Sequence, residues 1–241
     1  MTTTATTGVG LEVSDLHVTY GGVVAVDTLN LSVRPGEVLG LIGANGAGKT
    51  SAIDAITGYV RGSSGGVALD GVSLDRFTPH RRARAGLVRT FQQLELFDDL
   101  TVLENLRAAQ HSCGRHGGPG LERAIELFDL SSTKNRLTCD LPAGMRRVVA
   151  VARGLAQDPR VLLLDEPAAG LDSMESTEFG VRLRTVIDES LGVLLIDHDM
   201  SLVLSISDRV VVLENGRKIA EGTPLEVRNT DDVIRSYLGE E

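Results

Sequence analysis

Tryptophan is missing from this 241-residue chain and aromatic residues make up only 3% of it, so any ring that stacks on a ligand must act singly. Basic residues are also in short supply, 24 against 33 acids, for a net charge of -9. That balance repels phosphate backbones, and no nucleic-acid partner is expected. Long apolar runs are lacking too. A stretch such as Val161 to Leu164 is strand-sized, far short of the roughly 20 residues that cross a bilayer. The threonine-rich start has neither a basic nor an apolar segment, so it does not read as a secretory signal. Residues 1–10 are expected to form a flexible tail. Cys113 and Cys139 make no CxxC pair and have no partnering histidine pattern. Ordinary reduced thiols are favoured over disulfides or a zinc site, which suits a cytosolic location.

What is present is ample apolar content, 42%, arranged in strand-sized and helix-sized blocks. Leu11 to Tyr20 and Val23 to Val33, alternating around Gly21-Gly22, predict an antiparallel hairpin. After the turn Arg34-Pro35-Gly36, Glu37 to Ile42 reads as a buried strand, followed by a glycine-rich loop and a helix over Lys49 to Thr57. Between about Leu74 and Asp140 short helical stretches dominate, among them Val102 to Gln110 and Leu121 to Leu130. Strand and helix then alternate again: helix Met145 to Ala156, strand Val161 to Asp165, helix Met174 to Ser190, strand Val193 to Asp197. This alternation predicts parallel central strands and an α/β fold. Two short strands around Asn215-Gly216 and a small helix ending near Leu238 close the chain.

Gly43-Ala44-Asn45-Gly46-Ala47-Gly48-Lys49-Thr50 matches GxxxxGK followed by Ser or Thr, between a predicted strand and a predicted helix. In such a phosphate loop the glycines let backbone N–H groups face a β-phosphate and lysine bridges β- and γ-oxygens. The Thr50 hydroxyl ligates magnesium, and the helix N-terminus, including Ser51, adds favourable field. Val161 to Asp165 ends in a second element, the acidic pair Asp165-Glu166, which resembles Walker B. Asp165 would hold magnesium, and Glu166 would orient and deprotonate the attacking water. No NKxD guanine-recognition motif occurs, so ATP is favoured over GTP.

With both elements in this order, the chain resembles the ABC ATPase family over nearly its whole length. The resemblance implies a P-loop NTPase fold with a parallel core sheet, an N-terminal antiparallel β subdomain, and a helical subdomain at approximately 93–157, all within one domain over 11–241. It further implies that Tyr20 is the A-loop aromatic stacking on adenine. Gln92, in Arg89-Thr90-Phe91-Gln92, is the Q-loop glutamine near magnesium and water, on a loop facing the membrane partner. Asp172, in Gly170-Leu171-Asp172, belongs to the D-loop that contacts the opposite subunit. His198 is the switch histidine that hydrogen-bonds the γ-phosphate.

One motif departs from the family. Leu141-Pro142-Ala143-Gly144-Met145 stands where the signature normally reads Leu-Ser-Gly-Gly-Gln, and Pro142 has neither hydroxyl nor N–H. Losing one charge-assisted hydrogen bond costs roughly 1.5 to 3 kcal/mol, enough to slow a site about 10- to 150-fold. A heterodimer with a second, related ATPase and unequal ATP sites is therefore expected. Gly86 to Gln92, Asp165 to Leu171, and Val233 to Gly239 look like the ATPases of branched-chain amino acid importers. Such subunits work at the cytoplasmic face of the membrane with permeases and an external solute-binding protein. Urea or amide importers, lipid exporters and soluble ABC proteins remain the alternatives. The arginines Arg81, Arg82, Arg84 and Arg89 read as a solvated charged face.

Overall fold

The computed structural model describes residues 10–60, 62–91, 95–114, 119–187 and 190–230. The chain opens with β1 (Leu11–Tyr20), β2 (Val23–Val33) and β3 (Val38–Ile42), then α1 (Lys49–Thr57), β4 (Ser64–Leu69), β5 (Val72–Ser73), α2 (Pro79–Ala85) and β6 (Leu87–Arg89). Helices α3 (Val102–Ser112), α4 (Pro119–Leu127) and α5 (Ala143–Leu155) follow. Next come β7 (Val161–Asp165), α6 (Ser173–Val186), β8 (Gly192–Ile196), α7 (Met200–Ile206), β9 (Arg209–Glu214), β10 (Arg217–Gly222) and α8 (Pro224–Arg228).

Two sheets organise these elements. A six-stranded sheet runs β10-β9-β3-β8-β7-β6, parallel from β9 to β6, with β10 antiparallel at one edge. A four-stranded antiparallel sheet runs β2-β1-β4-β5. Every residue of β3, β7 and β8 is buried, which is why these strands are unbroken apolar runs and not alternating ones. Their alternate side chains enter two separate cores. Leu39, Leu41, Leu163 and Leu194 pack with α1 and the antiparallel sheet. Ile42, Leu162, Leu164 and Leu195 pack with residues of α3, α5, α6 and α7.

The predicted hairpin, phosphate-loop helix and parallel strands lie where the sequence puts them, but several elements differ. The helical reading of Leu74 to Asp140 misses β6, which hydrogen-bonds along β7 and belongs to the core sheet. Three residues are too few to carry a period. Strand β4 begins Ser-Gly-Gly and resembles a turn; its pairing with β1 makes it a strand. The helix expected to reach Ser190 ends at Val186. After α8 the structure describes only as far as residue 230, so the ending Val233 to Gly239 and the end near Leu238 lie outside the described residues.

The solvated reading of the arginines fails at Arg82 and Arg89. Arg82 is buried, donating to the carbonyls of Ala55 and Ile56 at the end of α1 and of Phe77. Burial lowers its pKa, partly offset by Asp75. Its guanidinium also fills the space beside Gly58, where a Cβ would lie 3.0 Å from Nε. Arg82→Met should therefore destabilise the protein by roughly 2 kcal/mol or more, because helix-end carbonyls lose their donor inside the protein. A lower urea midpoint at unchanged slope is the expected result.

Candidate nucleotide-binding site

Because β3, β8 and β7 are adjacent and parallel, the chain leaves all three at one edge of the sheet, where α/β ligand sites gather. Strand β3 delivers the phosphate loop, β7 delivers Asp165 and Glu166, and β8 delivers Asp197 and His198. The loop is clamped from two sides. A Cβ at Gly48 would stand 2.3 Å from the carbonyl oxygen of Ala25 in β2, and one at Gly43 2.4 Å from that of Leu213 in β9. The Ala47 carbonyl accepts from the Gly216 N–H at 3.0 Å, and the Gly216 carbonyl from the Asp27 N–H at 2.8 Å. Gly46, by contrast, has open space and needs glycine for its φ of 82° alone. Ala44, Asn45 and Thr50 are exposed and Ser51 is half-buried. Helix α1 carries neither a side-chain cap nor an acid in its first turn, so its N-terminal N–H groups are left for an anionic ligand.

Lys49 Nζ donates to the Gly43 and Ala44 carbonyls at 2.6 and 3.0 Å. Burial lowers its pKa, and the charges of Glu166 and then Asp165 push back upward. The lysine of the phosphate loop therefore shares one electrostatic environment with both acids, although 115 residues or more separate them in sequence. Asp165 is only 5% exposed. Glu166 has a φ of 48° and its N–H donates to the Ile196 carbonyl at 2.7 Å. A left-handed non-glycine residue costs about 1 to 2 kcal/mol, so neighbouring structure holds this carboxylate in place.

His198 is 67% exposed, with Nδ1 3.5 Å from Oδ1 of Asp197. Asp197 belongs to none of the sequence motifs, yet it is buried and joins two loops. Its Oδ2 accepts from the Ala168 N–H at 3.1 Å and its Oδ1 from the Asp199 N–H at 3.0 Å. The available signal was a carboxylate at the end of a fully apolar strand. Tyr20 closes β1 opposite Val23 and is 48% exposed. It stands at the tip of the hairpin whose second strand supplies Ala25 against the phosphate loop. Gln92 and Gln93 lie outside the described residues.

A family model described as ABC transporter matches residues 26–169, spanning the phosphate loop, the acidic pair and the segment between them. The chain belongs to the ABC transporter family. A second model, described as branched-chain amino acid ATP-binding cassette transporter, matches residues 217–241. The chain is 39% identical to the high-affinity branched-chain amino acid transport ATP-binding proteins BraF of Pseudomonas aeruginosa and LivG of Escherichia coli, covering 95% of itself and 98% of each. It is 34% identical to the lipopolysaccharide export system ATP-binding protein LptB of Haemophilus influenzae, over 96% of itself and 98% of that protein. A nucleotide-free ATP-binding cassette from an ABC transporter superposes with a TM-score of 0.85 at 27% identity, covering 96% of this chain and all of that one. The ADP conformation of such a cassette gives the same TM-score.

In this ABC ATPase the segment Leu141 to Met145, expected from sequence to be a divergent signature, leads into α5. Pro142 is the N-cap residue and supplies no side-chain cap; its carbonyl accepts from the Arg146 N–H at 3.0 Å. The first turn of α5 also lacks an acid, whereas α3, α6 and α8 carry full capping boxes. Pro142, Gly144 and Met145 line a shallow groove with Leu171 and Glu175. Leu141 is buried, and a Cβ on Gly144 would meet Glu175 Oε1 at 3.2 Å. Asp172 caps α6, accepting from the Met174 and Glu175 N–H groups at 2.9 Å. Leu141 to Met145 and the stretch Leu171 to Glu175 thus pack together as a second cluster.

The clamp on the phosphate loop gives a direct test. Gly48→Ala places a methyl against the Ala25 carbonyl at a φ of 102°, so the loop must shift. ATP binding measured by calorimetry should weaken about tenfold or more, a loss of about 1.4 kcal/mol, while far-ultraviolet circular dichroism stays that of the wild type.

Proposed function

We propose that this ABC ATPase binds magnesium-ATP at the edge formed by Lys49, Asp165 and Glu166, and that its hydrolysis powers import of branched-chain or other hydrophobic amino acids. The observation that carries the site is the parallel order of β3, β8 and β7, which brings the phosphate loop and the acidic pair to one edge of the sheet. The amino acid class rests on the likeness to BraF and LivG and on the family model over the last 25 residues.

The residues divide the chemistry. Lys49, released from the loop carbonyls, neutralises β- and γ-phosphate oxygens, and the uncapped start of α1 adds N–H donors. Tyr20 stacks on adenine. Thr50 and Asp165 form a hard-oxygen donor pair that fits magnesium, with Gln92 completing the set. When bound, the metal supplies positive charge to the phosphate oxygens. Glu166 orients the attacking water and accepts its proton, and His198 donates to the γ-phosphate. The strained backbone of Glu166 and the bond from its N–H to β8 favour this role, because they restrict where its carboxylate can go.

The chain acts at the cytoplasmic face of the membrane with permease subunits and, across the membrane, an external solute-binding protein. A groove of about 470 Å³ lined by Tyr59, His80, Phe91, Glu95 and Arg153 receives the permease. A second, related ATPase closes on the first. Across that interface the signature meets the partner's γ-phosphate through the N–H groups and dipole of α5, without a hydroxyl from Pro142. The two ATP sites are therefore unequal. No helix among the described residues is long and apolar enough to cross a membrane, in keeping with a peripheral subunit.

Glu166→Gln should retain ATP binding, lose hydrolysis by about 100-fold or more, and accumulate closed dimers on gel filtration with ATP. Wild-type turnover in that variant would remove Glu166 from the base role. In the assembled transporter, Pro142→Ser should speed the one site it completes about tenfold or more by restoring one charge-assisted bond, raising total ATP turnover up to about twofold because the other site already works. An unchanged rate would end the unequal-site reading.

A further inference from the structure

Asp165 is already engaged by a cation from its own chain. Arg89, the last residue of β6, stands opposite Leu163 in the parallel register, so it faces the side of the sheet that Asp165 uses two residues further along β7. Its Nη2 donates to Asp165 Oδ2 at 2.8 Å and its Nη1 to Asp54 Oδ1, on α1, at 2.5 Å. The Arg89 side chain is 7% exposed. Its Nε is buried with no hydrogen-bond partner among the described residues, and among those residues Asp54 and Asp165 are the acceptors for its two terminal nitrogens. One face of the fork lies 4.8 Å from the ring centroid of Phe91, which meets Tyr59 edge-on at 5.7 Å.

We infer that Arg89 is a positioning residue that fixes the direction of the Asp165 carboxylate for the metal, with Asp54 as its counter-charge. The need for Asp54 follows from electrostatics. A guanidinium alone would neutralise Asp165 and compete with a divalent cation for it. Balanced by Asp54, the arginine contributes hydrogen-bond geometry with little net charge, and Asp165 keeps its negative charge for the metal. A planar fork bridges two carboxylates on different elements in a fixed geometry; an ammonium supplies the charge and donors but not that geometry. The same fork joins β6, β7 and α1 immediately before the segment of Gln92, so the metal-facing carboxylate is tied mechanically to the wall of the groove at Phe91 and Tyr59.

The inference rests on the magnesium-ATP reading, and the test separates the two. Mn2+ binding to the full chain is titrated by electron paramagnetic resonance in the presence of a non-hydrolysable ATP analogue, alongside analogue binding in EDTA. Arg89→Gln should weaken Mn2+ about 10- to 100-fold, as loss of outer-shell orientation does, while metal-free analogue binding is unchanged. Arg89→Lys should recover part of the loss. Asp54→Asn, at a partly exposed position on α1, leaves the core packing intact and should also weaken Mn2+. Wild-type Mn2+ affinity in Arg89→Gln overturns the positioning role. So does an equal loss of metal-free binding, which would make Arg89 a purely structural residue. If the wild-type chain itself binds the analogue but no Mn2+, the magnesium reading fails first.

Discussion

A lysine and two carboxylates meeting at one edge of a parallel sheet is the constraint on which the remaining structure depends. Lys49 loses solvation as it enters the site, and the loop carbonyls and the charges of Glu166 and Asp165 offset that loss. The meeting is possible only because β3, β8 and β7 are neighbours running the same way. Interiors of these strands are fully apolar, since a charge between two packed cores would find no partner. Charge is tolerated at their C-terminal ends, and that is where Lys49, Asp165, Glu166 and Asp197 stand.

Helix N-termini differ in how their first N–H groups are satisfied. Helices α3, α6 and α8 satisfy their first N–H groups with capping boxes built on Thr101, Asp172 and Thr223. Helix α7 uses Asp199. At α1, α2 and α5 no side chain caps the first turn and no acid stands in it. Two of these three helices begin at the phosphate loop and at the segment Leu141 to Met145. An uncapped N-terminus keeps its donors for an anion, and Pro142 removes a hydroxyl from α5 without removing the helix field.

Two carboxylates outside the motifs do much of the holding. Asp197 fixes the Ala168 and Asp199 amides and lies beside His198, which links the stretch after Glu166 to the stretch after β8. Asp54 accepts from one terminal nitrogen of Arg89, whose other terminal nitrogen donates to Asp165. Both residues look ordinary in sequence, one beside a histidine and one within an amphipathic helix.

The amino-acid sequence by itself determined the local units: the hairpin around Gly21-Gly22, the strand, loop and helix at Ile42 to Lys49, and the acidic end of Val161 to Asp165. Each is a short-range pattern of apolar period, turn chemistry or fixed spacing, so neighbouring residues suffice to specify it. Tertiary structure alone decided that β6 is a strand, that β4 pairs with β1 despite its glycines, and that the side chains of Arg82 and Arg89 are buried rather than solvated. Those outcomes depend on partners dozens of residues away. A guanidinium enters the protein only where carbonyls or carboxylates from other elements converge to receive it, and that convergence exists only once the sheet has formed.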